Sequence, residues 1–219
     1  MISYETIKND PEIRTYIKAA DDSLLALGYT EHSFAHVTAV AENAAFILRE
    51  LGYPSRETEL AKIAGILHDI GNLVNRTDHS QSGAILAFRL LDKRGMSPEE
   101  TAVIVSAIGN HDEGTGIPVS DVAAALIIAD KSDVRRTRVR NGSDIATDIH
   151  DRVNYSVTSS TLSFNADKSA LTLALVTDTS TGSIMDYFEI FLTRMKLCRS
   201  AASRLGINFR LNINGQEFI

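Results

Sequence analysis

Apolar residues recur along most of this chain at alternating steps of three and four, the spacing that places them on one side of an α-helix. Phe34, Val37, Ala41, Ala44, Leu48 and Leu51 form the clearest such stripe, and Gly52 and Pro54 close it. His36 lies outside that stripe, on an adjoining one with Val40, Ala44 and Ile47, and His32 sits one turn earlier, near the helix start. Residues 3–28 read as one or two short helices, with Pro11 at a helix start. A further helix is expected from about Arg56 to Ile70, with Leu60, Ile63 and Leu67 buried and Gly71 as its terminator. After a loop to Asp78, His79, Gly83, Leu86 and Leu90 mark another helix, which Gly95 and Pro98 punctuate. Residues 99–109 form the next one, followed by a Gly-rich loop from Asn110 to Gly116. A last helix of this series is expected over roughly Ser120 to Arg138 and holds Asp130.

The pattern changes near Tyr155. Thr158 to Phe164 alternates apolar with polar, Leu171 to Val176 is rich in strand-forming residues, and Asn165 to Ser169 supplies turn residues between them, so a β-hairpin is expected. Ile184, Phe188, Phe191, Met195, Cys198, Ala202 and Leu205 then line one seam of a long helix that Gly206 closes, and Ile207, Phe209, Leu211 and Ile213 alternate as a final strand. The fold class is therefore mainly α: a helical body over residues 1–156 and a small α+β (ββαβ) unit over residues 157–219. That unit either packs on the body as a substrate cover or forms a dimer surface.

A chain of 219 residues with 44% hydrophobic and 23% charged residues has ordinary globular composition. A net charge of -6 argues against a bulk nucleic-acid binder, although a local basic patch can still hold a phosphate. One cysteine, Cys198, excludes an internal disulfide framework and fits a reducing compartment. No stretch approaches the roughly 20 apolar residues of a membrane helix, and the N-terminus lacks the apolar core of a signal peptide. The expected location is the cytoplasm.

Five of the six histidines fall between residues 32 and 111, at helix starts, helix ends and loops that can converge where a bundle's elements meet. His68 and Asp69 are adjacent and would point about 100° apart on a continuing helix, so they share one metal only if the helix ends there. Imidazoles and carboxylates without a nearby thiolate suit iron, manganese, zinc or nickel.

These residues carry a resemblance. His36 followed by Val40, Ala41, Ala44 and Leu48, the segment Ala64-Gly65-Ile66-Leu67-His68-Asp69-Ile70-Gly71, and Ile128-Ala129-Asp130-Lys131-Ser132-Asp133 resemble three successive segments of the HD-domain superfamily of metal-dependent phosphohydrolases. His79-Ser80-Gln81-Ser82-Gly83-Ala84 and Ala107-Ile108-Gly109-Asn110-His111 resemble further elements of its two-metal branch. The match covers roughly residues 32–138 and leaves the ββαβ tail outside. It implies one metal held by His36, His68, Asp69 and Asp130 and a second by Asp69, His79 and His111, with Asp69 bridging. The ions would be divalent: iron or manganese foremost, with nickel, zinc, magnesium and cobalt as the others.

The implied reaction is hydrolysis of a phosphate ester or anhydride of a small molecule, a nucleotide favoured, by a metal-bridging hydroxide. Asn72 stands where some members that cleave cyclic dinucleotides have lysine, which argues against that substrate; the chain's compact size is closer to members acting on dinucleoside polyphosphates. Besides Asp69, Lys131 and His32 are the expected catalytic side chains, His32 as a substrate contact or leaving-group proton donor. Lys131, Arg135 and Arg138 share one face of the expected helix, where Arg135 and Arg138 either hold substrate phosphates or form a solvated face. Two alternatives remain: a di-iron oxygenase, whose ligand set is the same, and, last, a non-catalytic regulatory module, since such modules usually lose ligands that this chain keeps.

Overall fold

The structure, a computed structural model, describes residues 1–140, 145 and 148–218. Helix α1 (Tyr4–Lys8) leads into α2 (Pro11–Ala26), which starts on Pro11 under an Asp10 cap whose carboxylate accepts the Glu12 and Ile13 amides. Next come α3 (Phe34–Glu50), capped by Ser33, and α4 (Ser55–Leu67), joined through Gly52 in the left-handed region at φ 80°. A short 3₁₀ turn (Ile70–Leu73) leads to α5 (His79–Lys93) and α6 (Pro98–Gly109), the latter opening on a Ser97 cap. Helix α7 (Asp121–Lys131) is buried at every position from Val122 to Ala129, as a helix apolar on all sides must be. It is the axis of the body, and α3, α4 and α6 pack around it. Gly65 brings α4 close to α3, since a Cβ there would lie 2.6 Å from the Ala41 Cα.

The tail begins after α8 (Ile149–Ser156). Strands β1 (Val157–Phe164) and β2 (Ala170–Thr177) pair antiparallel, with Leu162 opposite Leu173. Helix α9 (Ile184–Arg204) crosses over, and β3 (Asn208–Ile213) lies parallel to β2 with Leu171 opposite Phe209. A short β4 (Gln216–Glu217) adds to the β3 edge, giving the order β1-β2-β3-β4. Leu171, Leu173 and Leu175 of β2, with Phe209, Leu211 and Ile213 of β3, join the same buried cluster as the helical body, and α9 packs on α7. No described helix is long and apolar enough to cross a membrane.

The mainly helical body and ββαβ order match the sequence pattern, with local corrections. The helix expected to reach Ile70 ends at Leu67, and Gly71 is not its left-handed terminator. Gly71 is instead needed for space, because a Cβ there would fall on the His79 carbonyl oxygen and on the Gly83 amide 2.5 Å away. The helix expected to reach Arg138 stops at Lys131. There the Ser132 hydroxyl donates to the Ile128 carbonyl at 2.6 Å, and Arg138 donates to the Asp133 and Glu31 carbonyls at 2.8 and 2.9 Å. This bends residues 136–138 into a 3₁₀ turn, so Arg135 and Arg138 do not share a helix face with Lys131. Helix α8 and strand β4 have no counterpart in the sequence pattern.

Candidate metal centre

The six expected ligands meet at one end of the bundle, each delivered by a helix terminus. His36 lies in the first turn of α3, His68 caps α4, His79 opens α5, His111 follows α6, and Asp130 is the penultimate residue of α7. Asp69 sits just past the α4 cap with φ -94° and ψ 2°, outside regular helix, which turns it and its neighbour His68 to a common site. The ligating atoms of His36, His68 and Asp130 lie within 4.8 Å of one another, as do those of His68, Asp69 and His111.

Each imidazole is oriented through its Nδ1. His68 donates it to the Gly65 carbonyl at 2.8 Å and His111 to the Ile108 carbonyl at 2.7 Å, while the His79 Nδ1 faces the Arg76 carbonyl at 3.2 Å. The His36 Nδ1 instead meets the Asp133 carboxylate at 2.7 Å. Because these partners only accept, each Nδ1 carries a proton and the Nε2 atoms face inward. Among the described residues, His36 Nε2 and His68 Nε2 are buried with no hydrogen-bond partner. Nε2 of His36 stands 3.5 and 3.4 Å from Asp69 Oδ2 and Asp130 Oδ1, and that of His68 3.3 and 3.5 Å from the same two oxygens. Such separations suit atoms sharing one ion at about 2.1 Å from each. The other Asp69 oxygen, Oδ1, faces His79 Nε2 at 3.5 Å and accepts from Asn72 Nδ2 at 2.9 Å. His79 Nε2 and His111 Nε2 face each other at 3.2 Å, two lone pairs that call for a cation between them. The donor set fits divalent metal, and the two Asp69 oxygens divide between its halves.

Charge follows the same layout. Burial raises the Asp69 and Asp130 carboxyls, but facing histidines, and for Asp130 also Lys131, hold both well below the usual range. Burial pushes His68 and His36 down, yet the facing aspartates lift them to about 10 and about 8. His111, buried and beside His68 and Lys131, drops to about 3.

A small cavity of about 20 Å³, room for a water-sized group, touches Asp69, Asp130, His79, Lys131 and His32. Lys131 is clamped between Asp130 Oδ2 at 2.7 Å and Glu113 Oε2 at 2.6 Å. His32 donates Nδ1 to the Thr30 carbonyl at 2.8 Å, and burial and Arg138 hold its pKa well below the usual value. It is therefore neutral with Nε2 left as an acceptor, a state opposed to donating a proton from there. Arg138 lines this cavity, whereas Arg135 bonds Asp133 and Thr137 and borders a different cleft beside β1.

The sequence pattern missed Arg76 and Arg194, which line both the small cavity and a larger one of about 450 Å³. Arg194 comes from the tail helix and donates to Glu113 at 2.8 Å, so the tail contributes to the site's wall. Asp133, the His36 partner, stood within a quoted motif without a role.

Residues 33–135 match the HD domain family. The uncharacterized protein MJ1020 of Methanocaldococcus jannaschii is 29% identical over 163 residues, covering 64% of this chain and 62% of that one. Ribonuclease Y of Opitutus terrae is 30% identical over 130 residues, 59% of this chain but 23% of that enzyme. A crystal structure of a predicted HD superfamily hydrolase from an uncultured Thermotogales bacterium shares 27% identity over 57% of this chain and 67% of its own, with a TM-score of 0.45. The chain thus spans under two thirds of the length of these curated relatives.

Proposed function

We propose that this chain, whose residues 33–135 match the HD domain family, is an HD-superfamily metal-dependent phosphohydrolase cleaving a phosphate ester or anhydride of a small molecule, a nucleotide favoured. The observation carrying this reading is the pair of buried, unpartnered nitrogens, His36 Nε2 and His68 Nε2, aimed at the Asp69 and Asp130 carboxylates. An unsatisfied buried polar atom costs about 1–3 kcal/mol, which bound metal would remove. His36, His68, Asp69 and Asp130 would hold one ion and Asp69, His79 and His111 a second. Two such ions supply a water that ionises near neutral pH and positive charge for the phosphoryl oxygens.

The chain's own groups do the rest. Asp133 and the Gly65 and Ile108 carbonyls keep three imidazoles in the tautomer that presents Nε2. Asn72 fixes Asp69 through Oδ1. Arg76, Arg138 and Arg194 border the cavities, where guanidinium forks match phosphate oxygens. The larger cavity, about 450 Å³, has the size of a small-ligand site rather than of a polymer groove.

The test is metal content per chain by elemental mass spectrometry, with phosphate release from p-nitrophenyl phosphate. Close to two divalent ions and metal-dependent release are expected. Asp69→Ala should lower release by roughly 100-fold or more, several kcal/mol of barrier. Retained release in that variant, or no metal uptake by the wild type, overturns the reading.

A further inference from the structure

The larger cavity has two chemically different ends. Toward the histidine cluster it is bordered by Arg76, Arg138 and Arg194. Among the described residues, Arg76 and Arg138 form no salt bridge with a carboxylate; Arg138 spends two nitrogens on backbone carbonyls, and Arg76 has 3.4 Å contacts with Asn72 and His79 and lies over the Tyr29 ring at 5.8 Å. That end is open to an anion. The opposite end is built by α8, where Asp148 is occupied as the helix cap, accepting the His150 and Asp151 amides at 2.7 and 3.2 Å. One turn along, Asp151 and Asn154 lie on one face at i, i+3 and line the cavity wall.

Asp151 is only 6% exposed, and among the described residues its carboxylate has no hydrogen-bond partner and no salt bridge. Its oxygens are not enclosed by protein but open to the cavity that Asp151 lines, so they are free to accept from donors on whatever fills it. Asn154 spends its amide on the His150 carbonyl at 2.9 Å, which leaves its side-chain oxygen as a second acceptor on the same wall. Tyr29 and Phe191 supply flat apolar surface on the cavity wall.

The geometry points to Asp151 as a specificity-determining residue that accepts hydrogen bonds from O–H or N–H groups on the organic half of a phosphate ester whose anionic end lies at the arginines. The substrate class is then a hydroxylated or amino-bearing phosphate ester, a nucleotide or a sugar phosphate, bound in preference to a simple alkyl or aryl phosphate. This assignment rests on the phosphohydrolase reading for the identity of the anionic end. A charged hydrogen-bond acceptor left without its donors loses about 1.5–3 kcal/mol, which corresponds to about ten-fold or more in affinity.

Equilibrium binding to the full chain, kept in chelator so that no turnover intrudes, tests it with adenosine 5′-monophosphate, ribose 5-phosphate and methyl phosphate. The same series is repeated with non-hydrolysable phosphonate counterparts on metal-loaded protein. In the wild type, at least one of the two hydroxylated ligands should bind about ten-fold or more tightly than the methyl compound. Which of them does so separates base recognition from sugar recognition. Asp151→Asn, nearly isosteric, and Asp151→Ala should both collapse that ratio toward one, with melting temperatures showing that the variants are folded. Equal binding of all three ligands by the wild type, or a ratio unchanged in both variants, overturns the proposal. Because binding is read without catalysis, a chain that binds with this preference yet releases no phosphate would sink the phosphohydrolase reading alone.

Discussion

Asp133 shows how much a residue outside the ligand set controls. Its carboxylate holds the His36 Nδ1 at 2.7 Å and is itself bonded by Arg135 Nε at 2.8 Å. Burial raises its pKa, but the His36 hydrogen bond and the nearby arginines hold it down, so it remains an anion able to fix the imidazole tautomer. Partners of this kind are worth roughly 10–100-fold in metal affinity. Asp133→Ala should weaken metal binding by about that factor, measured by competition with a chromophoric chelator, while the other ligands stay in place. An unchanged affinity would mean that the ring is held by packing alone. Arg135 finds its place here, bonded to Asp133 rather than lining the cavity that a substrate would fill.

At the scale of elements, α7 is the member that nothing else can replace. It is apolar on all sides from Val122 to Ala129, and α9 of the tail packs on it beside α3, α4 and α6. Tyr187, Phe191, Met195 and Cys198 of α9, with Leu171 and Leu173 of β2, belong to the core that α7 shares with α3 and α4. Large buried side chains contribute about 1.5–3 kcal/mol each, and a domain's net stability is about 5–15 kcal/mol. A chain ending at residue 156 should therefore show no cooperative thermal transition by circular dichroism. A sharp melt in that fragment would make the helical body an independent unit.

The helices that carry the ligands were readable in the sequence because their apolar stripes are long and end in Gly, Pro or Ser. The two ends of α7 were not equally so. Ser120 marks the start, but Val134 continues an apolar rhythm past Lys131, and only the Ser132 and Arg138 bonds to backbone carbonyls stop the helix. Helix α8 is short and polar, with Asp151 and Asn154 on its buried face, so periodicity had nothing to report. The ligand pattern was legible because local motifs carry it. Arg76, Arg194 and Asp151 were not, since only the packing of α9 and α8 against the body brings them to the cavity.

For the whole molecule, the competition between proton and metal sets a pH dependence with a definite sign. Without metal, the folded-state values of His36 and His68 lie above the ordinary 6.5, at about 8 and about 10, because Asp69, Asp130 and Asp133 outweigh burial. A raised value means that the folded state binds protons more tightly than the unfolded chain does. The stabilisation is complete below about 6.5 and is lost as pH climbs through 8 toward 10. The lowered carboxyls act oppositely, present above about 3.8 and lost only as pH falls below it, so they do not alter this window. Metal must displace the same two protons, so its uptake releases them and strengthens as pH rises. Chelated protein should thus melt at a lower temperature at pH 9 than at pH 6.5, while the gap between metal-loaded and chelated protein widens over that interval. Differential scanning fluorimetry at the two pH values, with manganese or with chelator, reads both trends. A gap that narrows with rising pH would show that these imidazoles do not exchange protons for metal and would remove His36 and His68 from the ligand set.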